Sequence, residues 1–341
     1  MRPPRIQRRL LFGAACLLIA SAASAVGLGL DLEVRWPPVV LGGTLYLFGE
    51  EGRMQILSPG EAAPQCSMAR LDPTVAPVSC AGAVWVLDGK GLLWRIADGL
   101  PKIEGDGLEG AVALLPGRPR PAVLCRDRLI LPSGDVRTLS FPAASANALA
   151  DGGWWVRGGE EAARFGPEGD LRWTWAPKKG SPESAVLAGD RIYTGTSSGA
   201  LVALADRDGR LILKYRAGGG LTGPPAASDG LVFFATTNHF VRALRPSGQV
   251  AWHYRTEGRP AFGPWRIPQG LLLAEAAGNR LVLLSPADGK AVWTWRCPEG
   301  SLLMEPVLDG SRVWVLAWGS SRTPWLHAVD LPSPPPSGVP K

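Results

Sequence analysis

Three histidines, four cysteines beyond residue 25 and one glycine run are the parts of this chain whose residue types could do chemistry by themselves. A metal site needs ligands grouped at short spacing. His239, His253 and His327 stand 14 and 74 positions apart, so each reads as a satisfied or solvated side chain. The run Gly218-Gly219-Gly220-Leu221-Thr222-Gly223 matches the letters of a dinucleotide-binding turn, but Pro224-Pro225 follow it at once. A pyrophosphate loop has to open a helix, and that helix cannot start there. Asp190, Asp208 and Asp288 each adjoin a turn glycine and read as turn-shaping residues. No P-loop is present in the sequence. These residues predict no catalytic site, no cofactor and no metal.

Cys66, Cys80, Cys125 and Cys297 allow three pairings, and the absence of any C-x-x-C spacing argues against a cysteine zinc site. A Cys66–Cys80 bridge is the preferred pairing and would add about 3 kcal/mol if unstrained. Buried free thiols are the alternative.

The elements that would position any site come from a repeat. Turn glycines recur at Gly60, Gly99, Gly134, Gly169, Gly209, Gly248 and Gly289, between 35 and 41 residues apart. Each of the last four turns is followed by a strand that carries an aromatic pair or a near equivalent, from DLRWTW to KAVWTW. Two β-rich strands precede each turn, with a short proline-containing strand before those. Four short antiparallel strands per forty residues is the size of a propeller blade. The sequence therefore predicts an all-β, eight-bladed β-propeller of four-stranded antiparallel blades, with seven blades as the alternative count. The last unit stops before its outer strand, and LDLEVRW, ending at Trp36, has the pattern to supply it and close the ring. Trp173, Trp252 and Trp293 each fall four residues after a turn glycine and are expected to dock across neighbouring blades.

G-x-x-x-W after a D/P-x-x-G turn, with A-L or L-L ending the preceding strand, resembles the repeat of the PQQ-like, or quinoprotein-dehydrogenase-like, β-propellers. The resemblance runs from about residue 165 to 331 and in degraded form from 39 to 164. It implies the eight-bladed ring with tryptophan docking, and it admits two kinds of protein: quinone-dependent dehydrogenases and non-catalytic scaffolds of the BamB type. The dehydrogenases carry adjacent cysteines and carboxylate and Asn ligands for calcium. Here no two cysteines adjoin, so the resemblance points to the scaffold branch, with a reduced quinone-dependent oxidoreductase as the alternative.

Binding residues on propellers gather on loops. From the centre of its second strand to the end of its third, the last unit spans 15 positions, Trp314 to Val329, where its siblings span 11. The four extra residues lie in AWGSSRTPW. Trp318 and Arg322 there, with Trp265 and Arg266, are the candidate anchors for a protein or peptide partner, because Trp and Arg dominate hot spots. A small-ligand or glycan site in the channel is the alternative.

Arg2, Arg5, Arg8 and Arg9, the apolar run Leu10 to Ala20 and Ala23-Ser24-Ala25 predict a signal peptide over residues 1–25 and export to the periplasm or the exterior. Without those four arginines the chain holds 32 basic against 30 acidic residues, or +2, which removes the electrostatic case for nucleic acid. The propeller is expected over 26–331, with a proline-rich tail at 332–341, no membrane span in the mature chain, and a monomer unless in a complex.

Overall fold

The computed structural model describes residues 26–30, 32–58, 65–67, 71–97, 99–275, 279–298, 300–318 and 324–334. The predicted signal peptide and most of the proline tail lie outside them. Among the described residues the chain forms eight antiparallel sheets, and the sole helical turn is Glu50–Gly52. Seven sheets are meanders of four consecutive strands, here lettered A to D. They occupy 39–67, 78–105, 111–138, 145–175, 182–216, 226–255 and 260–296 and are numbered blades 1 to 7. Successive A strands touch one another, which places them around the axis and the D strands at the rim.

Blade 8 is composite. Its inner strand is split into Ser301–Leu302 and Val307–Asp309, both paired with Arg312–Trp318, and Pro324–Asp330 follows. Its outer strand comes from the other end of the chain, so the N-terminal strand closes the ring as expected, but with different residues. Val26–Gly29, rather than LDLEVRW, pairs with Trp325 to Ala328. The residues expected to form that strand cross to blade 1: Val34 bridges Gly49, and the Arg35 N–H donates to the Phe48 carbonyl at 2.9 Å. The reason is packing. Leu30, Leu32 and Val34 are buried between blades 8 and 1 beside Trp314, Leu316 and Leu45, and a rim strand would have exposed them.

The buried side chains divide into eight clusters, one for each junction between neighbouring blades. This follows from strand periodicity: side chains alternate between the two faces of a sheet, and every blade is flanked on both. The B and C strands accordingly read as continuous apolar runs, such as Gly270–Glu275 and Arg280–Leu284, buried at every position.

Gly60 lies outside the described residues; the other six turn glycines sit at the C–D corners with positive φ, from 71° at Gly209 to 99° at Gly134. A second constraint falls on four of them, Gly169, Gly209, Gly248 and Gly289, each covered by a side chain of the preceding blade. Trp173, on the D strand of blade 4, lies across Gly209 of blade 5, where an added Cβ would come within 2.7 Å of the indole. Its N–H donates to the Asp206 carbonyl at 2.6 Å. Trp252 of blade 6 covers Gly289 of blade 7 in the same way and donates to the Pro286 carbonyl at 2.8 Å. Leu213 covers Gly248 without a hydrogen bond to offer. Trp293 faces blade 8, which has no C–D corner because its outer strand arrives from the N-terminus, and it packs half-buried against the junction core.

Replacing Gly289 by Ala should therefore cost about 2–4 kcal/mol, combining the left-handed backbone penalty with overpacking of the Trp252 ring. Gly189→Ala is the control, since nothing stands within 4 Å of its missing Cβ. Urea unfolding that ranks the two variants equal would contradict the double role of Gly289.

Candidate functional site

The disc has two faces. Its upper face carries the B–C hairpins and the connections between blades, and its lower face the A–B and C–D turns. Trp318 ends the B strand of blade 8 at the upper face, paired with Pro324 and Ser301 and partly buried. The register Trp314↔Ala328 spans 14 positions, against 10 for Tyr193↔Ala203 and Phe233↔Ala243. Half of the insertion extends the ladder by one pair, and the other half lengthens the loop to residues 319–323. Arg322 falls in that loop, outside the described residues.

Trp265 and Arg266 do not join Trp318 there. Both lie within the inner strand Pro260–Ile267 of blade 7. Trp265 donates its indole N–H to the Glu305 carboxylate, which ties blade 7 to blade 8. Arg266, next to the A–B turn, belongs to the lower face. There it bonds the Ile267 carbonyl, reaches the Gly270 carbonyl at 3.3 Å and approaches Asp229 of blade 6 at 3.9 Å. Of the described candidates, Trp318 thus lies at the upper face, Arg266 at the lower face, and Trp265 in the seam between blades 7 and 8. A radial strand turns each residue a full pleat from the next, so adjacency in sequence did not mean adjacency in a site.

Cys80 is a free thiol at the end of its strand, with its pKa raised by burial. Cys66 lies on the outer strand Gln65–Ser67 of blade 1, and its side chain is outside those described. Cys125 is a buried free thiol, and Cys297 is buried in the junction of blades 7 and 8.

Charged groups that sequence reasoning did not single out cluster at three places. In the junction of blades 4 and 5, Arg164 is 0% exposed. Its guanidinium bonds the Asp151 carboxylate and the Phe165 carbonyl and donates through Nε to Asp206 Oδ1 at 2.8 Å. Arg172 adds a 3.0 Å contact to Asp206 Oδ2. The bond from Arg164 holds the Asp151 carboxyl below its ordinary range against the opposing effect of burial. A signal existed in the sequence: opposite Trp173 in the ladder stands Arg164, where the sibling repeats place Ala203, Ala243 and Leu283.

At the upper face of blade 7, Glu275 is wholly buried and accepts Arg280 Nε at 2.8 Å, Arg280 Nη2 at 3.1 Å and the Gly258 N–H at 2.9 Å. Glu257 reaches Arg280 Nη1 at 2.7 Å. Blades 5 and 6 place threonines, Thr196 and Thr236, at the position of Glu275, each bonding across its own hairpin. The ion pair is thus a stronger form of one hairpin lock.

The third cluster is at the upper mouth of the channel. A bulge in the inner strand of blade 5, between Pro182 and Ala185, carries Glu183. Glu183 Oε2 and the nearby Thr222 hydroxyl are buried without hydrogen-bond partners. Burial pushes the Glu183 carboxyl up, and Arg157 of blade 4 partly opposes this. Burial likewise raises Glu305, in the interrupted inner strand of blade 8. Inner-strand bulges re-aim side chains in this way. The mouth can accept polar or cationic groups, but it brings no nucleophile to a base, and no cluster of metal-ligating residues exists among the described residues.

Residues 158–294 and 241–323 match the family model described as outer membrane protein assembly factor BamB. Over those residues the repeats are similar to those of the PQQ-like β-propellers. No curated protein matches the chain in sequence. Among solved structures, Sqt1 of Saccharomyces cerevisiae is similar over 92% of this chain and all of its own, at 10% identity and a TM-score of 0.68. The computationally designed protein Ika8 aligns over 88% of this chain and 98% of its own, with 8% identity and the same TM-score of 0.68. The WD40 propeller domain of Doa1 aligns over 90% of this chain and 96% of its own, at 11% identity and a TM-score of 0.55. At such identities these likenesses concern the fold. No helix of the described residues is long and apolar enough to cross a membrane.

Two outcomes test the electrostatic reading. Arg164→Ala should cost about 3–5 kcal/mol, because it leaves two carboxylates facing an emptied buried position; loss of less than 1 kcal/mol in chemical denaturation would contradict this. For Glu183 the folded pKa lies above the ordinary 4.5. Its contribution to stability is therefore fully present below that value and is lost as pH rises through the elevated one. Glu183→Gln should melt higher than the wild type at pH 7, with the gap closing by about pH 4; a gap independent of pH would contradict the burial of the charge.

Proposed function

We propose that this chain is an exported, non-catalytic scaffold of the cell envelope that holds a protein or peptide partner on the upper face of its ring, in the assembly of outer-membrane proteins. The match of residues 158–323 to the BamB description supports this reading above all else. The geometry offers such a partner a place: blade 8 alone extends its B–C hairpin beyond its siblings, and it does so with an aromatic side chain at the edge of the extension. Ring closure holds the C strand of blade 8 between its B strand and Val26–Gly29, so the strands that flank the hairpin stand on a fixed platform. A signal peptide over residues 1–25 would deliver the protein to the compartment where such assembly takes place.

A second reading, a small polar ligand at the channel mouth, is favoured by one observation: the unpartnered buried oxygens of Glu183 and Thr222. A reduced quinone-dependent oxidoreductase is separated from both readings by the quinone absorbance and calcium content of the protein purified from its native envelope.

The double variant Trp318→Ala, Arg322→Ala should keep the wild-type melting temperature within a few degrees and lose capture of outer-membrane assembly components from envelope extract. Undiminished capture by a folded double variant removes the upper-face assignment.

A further inference from the structure

The lower face departs from the repeat at one place. Six blades join their A and B strands through two residues, as at 42–43, 81–82 and 189–190. Blade 4 uses five, 149–153, and blade 3 uses six, Pro116-Gly117-Arg118-Pro119-Arg120-Pro121. Three prolines in six residues stiffen this loop by fixing φ and withdrawing three backbone donors. It is also pinned at two points. Arg120 Nε donates to the Pro132 carbonyl at 3.1 Å, and the Gly117 backbone bonds the Cys80 thiol of blade 2. Pro116, Arg118 and Pro119 remain exposed at its tip.

The pinned loop divides two clefts of about 440 and 750 Å³, and Arg118 with Ala81 lines both. The walls are otherwise proline, glycine, Cys80 and Trp154, whose buried indole N–H has no partner, with no acidic residue among them. Arg118, like Arg120, Arg210 and Arg245, has no ion pair among the described residues, whereas Arg172, Arg191, Arg207 and Arg266 of the same face each have a carboxylate within 4 Å; among the unpaired ones Arg118 is the one that lines both clefts. An uncommitted guanidinium on a rigid loop, above walls poor in hydrogen-bond donors, suits an extended chain that brings its own carboxylate and few demands on its backbone. We infer that the lower face of blades 2 to 4 is a second docking site, which takes an acidic, extended peptide segment of a partner protein with its carboxylate on Arg118. This site is independent of the upper-face reading, because it uses other blades and the opposite side of the disc.

The test uses the full-length protein and a short fluorescent peptide of alternating glutamate and proline, followed by anisotropy. Wild type should bind it, with affinity falling as salt rises. Arg118→Glu should weaken binding by about tenfold or more, as expected for loss of a charge-assisted pair. Arg207→Glu, which makes the same charge change elsewhere on the lower face, should bind as wild type. Bound peptide should also slow alkylation of Cys80, read by mass spectrometry on the tryptic fragment 71–90. Equal binding by the two variants, no binding by wild type, unslowed alkylation at saturation, or Arg118-dependent capture of anionic vesicles in place of the peptide overturns the assignment.

Discussion

A blade of this ring is apolar on both faces, and a four-stranded sheet with two apolar faces has no stable existence in water. The burial that makes it solid is always supplied by a neighbour. All eight cores are junctions, and the one between blades 8 and 1 draws on both ends of the folded chain. Blade 8 alone is assembled from segments three hundred residues apart, so the ring forms its last core only when Val26–Gly29 has paired. Closure is thus a condition for every other blade as well, because an open ring would leave two terminal faces wet. The strand that makes the closure is short and carries Gly27, whose missing Cβ leaves room for the buried imidazole of His327.

The junctions are sealed at the rim by a recurring contact between a large side chain on one blade and the corner glycine of the next. The corner needs a left-handed residue for its turn and a bare Cα for the incoming ring, and glycine is the residue that meets both demands. Where blade 4 meets blade 5, the contact is reinforced by a buried charge. Asp206 accepts Trp173 through its carbonyl and Arg164 through its carboxylate, so one residue ties the rim of the junction to its interior. Such a cluster adds specificity of register to a junction whose apolar contacts alone could slide.

Because the repeat is a mechanical necessity, most of the fold could be read from spacing. Turn spacing and closure by the N-terminus were legible in this way, whereas the eight-bladed ring with tryptophan docking is what the family resemblance implied, and Trp293 has no corner glycine beneath it. The choice of closing strand was not: LDLEVRW and VGLG both suit an extended segment, and only the three-dimensional demand of the junction between blades 8 and 1 for Leu30, Leu32 and Val34 decides between them. The candidate anchors were half legible. The insertion at Trp318 appears as a count, but the faces of Trp265 and Arg266 depend on where the inner strand of blade 7 bulges, at Phe262 and Trp265, and a bulge leaves little trace in composition. Arg164 could have been found, since a charge at a position its siblings fill with Ala or Leu breaks the pattern.

In a repeat protein the positions that obey the pattern are accounted for by the ring, and the information about what the ring does must lie in the exceptions. Among the described residues the loop-length exceptions are few: the extended hairpin of blade 8 on the upper face, and on the lower face the A–B loops of blades 3 and 4, of which the blade 3 loop is stiffened by proline. Neither the hairpin nor the blade 3 loop contributes to a junction core, so neither is needed for closure. A loop that lengthens without a folding role is retained only at the cost of added closure entropy and added exposed chain. Stiffening by proline lowers that cost in the blade 3 loop by limiting the conformations it can take. In blade 8 half of the insertion is absorbed as one more ladder pair, Trp318 with Pro324, so that part of the added chain is ordered by the sheet itself.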